Sequence, residues 1–146
     1  MPCDWCTVAV RLGLPATVVT AMNNTAQQSI RFGRIAAMLP VADMKRATDF
    51  YIGVLGFENV FENGNPVGFI ILEKDGAELH LTLQPDHKAP AFNVAHMMVE
   101  NVDALHELIQ GQGLRIIKRL QDKDYGLRAF VFADPDGNRI DVGQPI

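Results

Sequence analysis

The 146-residue sequence has almost no cysteine, and no apolar run reaches the roughly 20 residues that cross a bilayer. Cys3 and Cys6 are its two cysteines, too few for a closed zinc site, which needs four ligands. We interpret them as free thiols near the amino terminus. The apolar stretch "VAVRLGLPATVVTAM" has no basic segment before it and is interrupted by Arg11, so it is not typical of a signal peptide. We therefore expect a cytoplasmic protein with no membrane partner.

Clustered positive charge is also absent. Lysine and arginine total 13 against 17 aspartate and glutamate residues, and the two signs are interspersed along the chain with a net charge of -4. Phosphate binding needs clustered basic residues, so this pattern argues against a nucleic-acid partner. Hydrophobic residues make up 48% of the chain, enough for one domain to bury a core without disulfides.

Hydrophobic periodicity divides the chain into two regions. Residues 1–33 follow neither the helical nor the strand period, and we expect them to be an extension outside the core that can be flexible. Residues 34–146 follow both periods in turn and are predicted to form a single domain.

The predicted domain contains the same element order twice, in units 34–84 and 92–143. Each unit has a strand, a helix and three further strands, which predicts an α+β fold of tandem βαβββ repeats. The predicted strands of the first unit are "IAAMLPV", "FENVF", "VGFIILEK" and "AELHLTL", and those of the second are "NVAHMMV", "LRIIKRL", "LRAFVFA" and "NRIDVG".

Turn and capping residues set the predicted helix boundaries. Asp43 is a predicted N-cap and Gly56 a predicted helix stop in the first unit. In the second unit, a helix from about Val102 is expected to bury Leu105, Leu108 and Ile109.

Aligning the two units by their own landmarks identifies pairs of equivalent positions. The residue four after the turn glycine in the last strand is His80 or Asp141, and the residue five before the strand-ending valine in the first strand is Ala36 or Val94. A pseudo-twofold arrangement would bring these positions together on the concave faces of the sheets. His80 and Asp141 are therefore predicted to be structural equivalents.

The stretches "MLPVADMKRATDFYIGVLGF", "VENVDALHELIQGQG" and "YGLRAFVFADPDGNRIDVGQ" resemble the vicinal oxygen chelate superfamily, over roughly residues 34–145. This superfamily includes glyoxalases, extradiol dioxygenases and bleomycin resistance proteins. The resemblance implies the glyoxalase-like fold and a paired, dimeric assembly.

In metal-dependent members of the superfamily, the four equivalent positions carry the ligands of one divalent ion. The resemblance places them on Ala36, His80, Val94 and Asp141, where alanine and valine have no donor atom. His96 lies two residues beyond Val94 on the same predicted strand face, so His80, His96 and Asp141 form an alternative two-histidine, one-carboxylate set. A glyoxalase-like lyase or dioxygenase using this set and a divalent metal is the alternative function. An isomerase or hydrolase with His80 as a metal-free base is a third.

The missing ligands favour the metal-free branch, and the element "YGLRAFVFADPDGN" is similar to that of bleomycin resistance proteins. This resemblance implies a homodimer that sequesters a small molecule, such as a cationic drug, without a cofactor and without turnover. Strand alternation and the opening of the "YGLR" strand give the candidate ligand-binding residues, which are Met38, Glu78, His80, His96, Met98, Tyr125, Arg128 and Asp141.

Overall fold

Two four-stranded sheets form the framework of the fold, which a computed structural model describes over residues 25–146. The first unit comprises β1 (Ala37–Val41), α1 (Met44–Thr48), a π-helical continuation (Asp49–Val54), β2 (Glu58–Gly64), β3 (Val67–Lys74) and β4 (Ala77–Leu83). The second comprises β5 (Asn93–Met98), α2 (Val102–Gly111), β6 (Ile116–Asp122), β7 (Leu127–Ala133) and β8 (Arg139–Pro145).

The two sheets repeat one topology. Their strand orders are β1-β4-β3-β2 and β5-β8-β7-β6, with the first and last strands of each unit paired in parallel and the other neighbours antiparallel. The α+β fold of tandem βαβββ units predicted from the sequence is confirmed.

Both helices begin where a side chain caps them. Asp43 accepts a hydrogen bond from the backbone N–H of Arg46 at 3.0 Å, as predicted, and Asn101 accepts one from Ala104 at 3.4 Å. Gly56 ends the first helical segment with a φ of +80°, a backbone conformation that favours glycine.

The prediction that Leu108 is buried is wrong. Val102 and Ile109 are fully buried in α2, whereas Leu108 is 40% exposed. Val102, Leu105 and Ile109 follow the spacing i, i+3, i+7 and share one face of the helix. Leu108 lies about 100° around the helix from Ile109, at the edge of that apolar face.

Strand alternation gives each sheet a core face and an open face. The core faces carry fully buried side chains such as Leu39, Leu81 and Val142, which pack with both helical segments into one hydrophobic cluster. On the opposite side, which we call the open face, the first sheet presents Met38, Phe61, Phe69, His80 and Thr82, and the second presents His96, Met98, Asp141 and Gly143.

A buried polar turn joins the second unit to the first. Asp134 accepts hydrogen bonds from the Tyr51 hydroxyl at 2.7 Å and from the backbone N–H groups of Asp136 and Asn138, both at 2.9 Å. The Asn138 side-chain amide donates to the carbonyl of Pro40 in β1 at 2.9 Å. This turn, "DPDGN", thereby fixes β1 and the first helical segment against the start of β8.

Residues 25–35 belong to a separate unit from Ala36–Ile146 and include a helical stretch at 25–29. The predictions for Cys3, Cys6 and most of the 1–33 extension fall outside the described residues. Within residues 25–146, no helix is both long and apolar enough to cross a membrane.

Candidate functional site

A histidine–carboxylate pair lies on the open face of the second sheet. The β5–β8 register places His96 beside Asp141, and the His96 Nδ1 atom is 2.9 Å from Asp141 Oδ2. Their side chains are 46% and 26% exposed, so both reach solvent. Among residues 25–146, the ion-pair partner of Asp141 is His96, with no lysine or arginine in range.

The other ring nitrogen of His96 meets a thioether. Its Nε2 atom is 3.2 Å from the Sδ atom of Met98, two residues along the same strand. Met98 is 49% exposed. His96 thus lies between a carboxylate oxygen and a sulfur atom, both on the open face.

The first sheet has different side-chain contacts at the equivalent positions of its open face. Met38 lies beside His80 in the β1–β4 register, and the His80 Nε2 atom is 2.7 Å from Glu78 Oε1. Phe69 makes edge-to-face contacts with His80 and with Phe61, with ring centroids 5.5 and 6.3 Å apart. An aromatic row therefore crosses three strands of this face and ends at the half-exposed ring of Phe61.

The strand registers define which positions are directly adjacent. Met38 is paired with His80, and His96 with Asp141, so these four residues are related by the repeat. Ala36 and Val94, the positions that the resemblance assigns to metal ligands, lie two residues earlier in the chain than Met38 and His96. The pairing of β5 with β8 shifts register between Asn93 and Ala95, and Val94 packs against the hydrophobic core.

The described residues do not assemble the three-ligand set of the metal-dependent alternative. Within residues 25–146, no group of three or more histidine, cysteine, aspartate or glutamate side chains is placed to hold a metal ion. His96 and Asp141 are paired on the second sheet, whereas His80 is on the first sheet with Glu78 at its Nε2 atom. Two donors are fewer than the three protein ligands typical of a catalytic zinc.

Arg128, a candidate ligand-binding residue, faces away from the open face. Its guanidinium binds Asp103 on α2 at 2.8 and 3.0 Å and Asp122 on β6 at 3.0 Å. The hydrogen bonds that Arg128 donates, first to Asp103 and then to Asp122, raise the pKa of Arg128, and the one to Asp103 lowers the pKa of Asp103. Tyr125, 65% exposed, lies in the turn that precedes β7.

Sequence reasoning missed Gly143, which forms part of the floor beside His96. A Cβ atom there would lie 3.2 Å from Leu127 Cδ1 and 3.7 Å from both Ala129 Cβ and His96 Cε1. A glycine inside a predicted strand often marks a close approach to the backbone, and this was the available signal. Phe130 and Phe132 are buried in the core.

Comparison with known proteins identifies a family. The model of the Glyoxalase/Bleomycin resistance protein/Dioxygenase superfamily matches residues 31–142. A search of curated proteins gives no significant match.

Solved structures share the fold. A member of the same superfamily from Sphaerobacter thermophilus DSM 20745 is 25% identical, with a TM-score of 0.62 and coverage of 77% of this chain and 98% of that chain. TnmS3, an antibiotic binding protein from Streptomyces sp. CB03234, is 24% identical, with a TM-score of 0.62 and coverage of 80% and 100%. TioX from Micromonospora sp. ML1 is 21% identical, with a TM-score of 0.64 and coverage of 79% and 100%.

Proposed function

The chain belongs to the Glyoxalase/Bleomycin resistance protein/Dioxygenase superfamily, and from this premise we propose that it binds and sequesters a cationic small molecule without turning it over. The observation that carries the proposal is the charge on the open face of the second sheet. Asp141 is partly exposed there, and its partner is a histidine rather than a lysine or arginine. A neutral imidazole leaves the negative charge of the carboxylate in place, which attracts a cation.

The remaining open-face residues support binding of a flat or irregular apolar part of the cationic ligand. Phe61 and Phe69 offer aromatic surface on the first sheet. Met38 and Met98 are 62% and 49% exposed, and their flexible thioether side chains adapt to irregular shapes. Apolar walls with a few polar groups are typical of small-molecule sites. TnmS3, with the same fold, is an antibiotic binding protein, and sequestration of a drug by this chain is consistent with that likeness.

The same exposed surface supports a homodimer. Met38 and Phe61 on the first sheet and Met98 on the second are each about half exposed or more, and exposed apolar patches mark interaction sites. Pairing of open faces between two copies would cover part of this surface and convert each flat face into a groove. The ligand would then lie between sheets, with Asp141 at its charged end.

The test is equilibrium binding of proflavine, a planar aromatic cation, compared with naphthalene-2-sulfonate, a planar aromatic anion. We expect saturable binding of the cation and weak or no binding of the anion. Asp141→Asn removes one charge a few ångströms from the ligand, an interaction of about 1 kcal/mol in water and up to about 4 kcal/mol at the effective dielectric of a protein surface. A loss of about tenfold in proflavine affinity corresponds to about 1.4 kcal/mol in that range.

Asp49→Asn is the matched control. It removes the same charge from an exposed carboxylate that is paired with Lys45 on α1, away from the open faces. Proflavine recovered after long incubation should be chemically unchanged by mass spectrometry, and a chelator should not affect its binding. Equal affinity losses in the two variants, or tighter binding of the anion, would contradict the proposal. Chelator-sensitive conversion of a substrate would instead favour the metal-dependent alternative.

A further inference from the structure

The contact between His96 and Met98 lacks a shared proton when the histidine is neutral. An ionised carboxylate only accepts hydrogen bonds, so the proton of a neutral imidazole lies on the Nδ1 atom that faces Asp141. The Nε2 atom is then unprotonated and directs its lone pair towards the Met98 Sδ atom, 3.2 Å away. A thioether sulfur also has lone pairs and no proton. Two acceptors therefore face each other across a gap that a cation would bridge.

From this geometry we propose that His96 and Met98 bind a soft monovalent metal cation, Cu(I) or its analogue Ag(I), through His96 Nε2 and Met98 Sδ. Thioether ligands select soft ions such as Cu(I) over the hard divalent ions that prefer oxygen. Zinc–imidazole and zinc–sulfur bonds are about 2.0 and about 2.3 Å. With bonds of similar length, a soft ion would bond both atoms once the flexible Met98 side chain moves outward and widens the angle at the metal.

Asp141 holds the position that a supporting residue takes in metal sites. Metal-ligating histidines almost always donate their other ring N–H to a carboxylate, a carbonyl or water, which fixes the tautomer and orientation of the ring. The 2.9 Å contact between His96 Nδ1 and Asp141 Oδ2 meets this description. Asp141 would therefore act as a positioning residue for His96 and not as a metal ligand.

The site is accessible and its donors are matched to a soft ion. His96 and Met98 are 46% and 49% exposed on their open face, so a cation can enter from solvent. A three-ligand divalent site is not assembled among residues 25–146. Cu(I) and Ag(I) accept lower coordination numbers, and their remaining positions are open to an added ligand or to water.

The first sheet provides an internal comparison. Met38 and His80 are also neighbours, in the β1–β4 register, but the His80 Nε2 atom is 2.7 Å from Glu78. With a carboxylate at Nε2, that nitrogen carries the proton and has no lone pair for a metal. Met38 is thus an exposed methionine beside a histidine that lacks the geometry of His96, and it serves as the matched control.

The experiment is a titration of the full-length protein with Ag(I), read from the methyl signals of ¹³C-labelled methionine. Cys3 and Cys6 would compete for a soft metal, so the parent protein is the Cys3→Ser, Cys6→Ser variant. We expect one Ag(I) per chain and saturable movement of the Met98 methyl signal, while the Met38 signal stays in place. Cu(I) under anaerobic conditions, with a competing chelator, should give the same stoichiometry, and Zn(II) should not move the Met98 signal.

Variants assign the donors. Met98→Leu and His96→Asn should each abolish the saturable step, and Met38→Leu should change the Ag(I) affinity by less than about twofold. Asp141→Asn should weaken binding by about 10- to 100-fold, the usual effect of losing the hydrogen-bond partner of a ligating histidine. All four positions are at least partly exposed, and circular dichroism verifies that each variant is folded. Unchanged Ag(I) affinity in Met98→Leu, or equal movement of the Met38 and Met98 signals, would overturn the proposal.

Discussion

Replacing Tyr51 with phenylalanine removes one hydroxyl group from the buried turn that joins the two units. The Tyr51 side chain is 1% exposed, and its hydroxyl donates to Asp134 Oδ2 at 2.7 Å. Phenylalanine keeps the ring and its edge-to-face contacts with Phe50 and Phe57. The substitution therefore isolates the hydrogen bond.

The expected loss is about 2 kcal/mol in the free energy of unfolding. Hydrogen bonds to charged groups contribute about 1.5–3 kcal/mol, and a buried acceptor that loses its partner bears a desolvation cost. After the substitution, Asp134 Oδ2 keeps only the longer contact to the Asn138 amide, at 3.2 Å, among the residues described. For a domain of this size, 2 kcal/mol corresponds to a fall of roughly 6–8 °C in Tm.

The assay is urea and thermal unfolding followed by circular dichroism. Tyr125→Phe is the control, because Tyr125 is the second of the two tyrosines and is 65% exposed. Tyr125→Phe should change the free energy of unfolding by no more than about 0.5 kcal/mol. A double-mutant cycle of Tyr51→Phe with Asp134→Asn should give a coupling energy of about 1 kcal/mol or more. Equal stabilities of Tyr51→Phe and Tyr125→Phe would refute the claim that the hydrogen bond from Tyr51 to this turn stabilises the fold.

Three further predictions concern Asp134, Arg128 and the buried face of α2. Burial raises the pKa of Asp134 above its ordinary value, so the folded chain keeps a proton that the unfolded chain loses at about pH 4. The free energy of unfolding should therefore fall as pH rises from about 4 through the raised pKa of Asp134. In a plot of urea midpoint against pH, Asp134→Asn should flatten this fall. Arg128→Gln should change proflavine affinity by less than about twofold in titration, because Arg128 pairs with Asp103 and Asp122 away from the open face; a tenfold loss would place Arg128 at the ligand. Ile109→Ala should cost about 2–4 kcal/mol in urea unfolding, whereas Leu108→Ala should cost under about 1 kcal/mol because Leu108 is 40% exposed; equal losses would contradict the assigned helix face.

Local patterns in the sequence were enough to predict the element order. β3, β4 and β7 have the predicted bounds, because each is an apolar run closed by a turn signal such as Asp75-Gly76. The internal repeat then predicted two units with the same order of elements, and the two sheets have the same strand order. Leu108 was misplaced because an amphipathic helix buries only one face, and sequence spacing does not define the edge of that face sharply.

The candidate site was predicted less completely. Strand alternation assigned His80, His96, Met98 and Asp141 to open faces, but the strand that each side chain contacts depends on the register between β5 and β8. That register pairs His96 with Asp141 and separates both from the His80–Glu78 contact. The contact of Arg128 with Asp103, which is 25 positions away on α2, was not predicted. Such tertiary contacts leave no local signal in the sequence.

The most direct test of ligand binding at the open faces is a proflavine titration monitored on the ¹³C methyl signals of the methionines. The chain has six methionines, and they include both probes and controls. Met38 and Met98 are exposed on the open faces, whereas Met44 and Met97 pack against the hydrophobic core. We predict that the Met38 and Met98 signals shift in a saturable way, because an aromatic ligand lies next to them, while the Met44 and Met97 signals stay in place. Saturable binding that leaves the Met38 and Met98 signals unmoved would contradict the account.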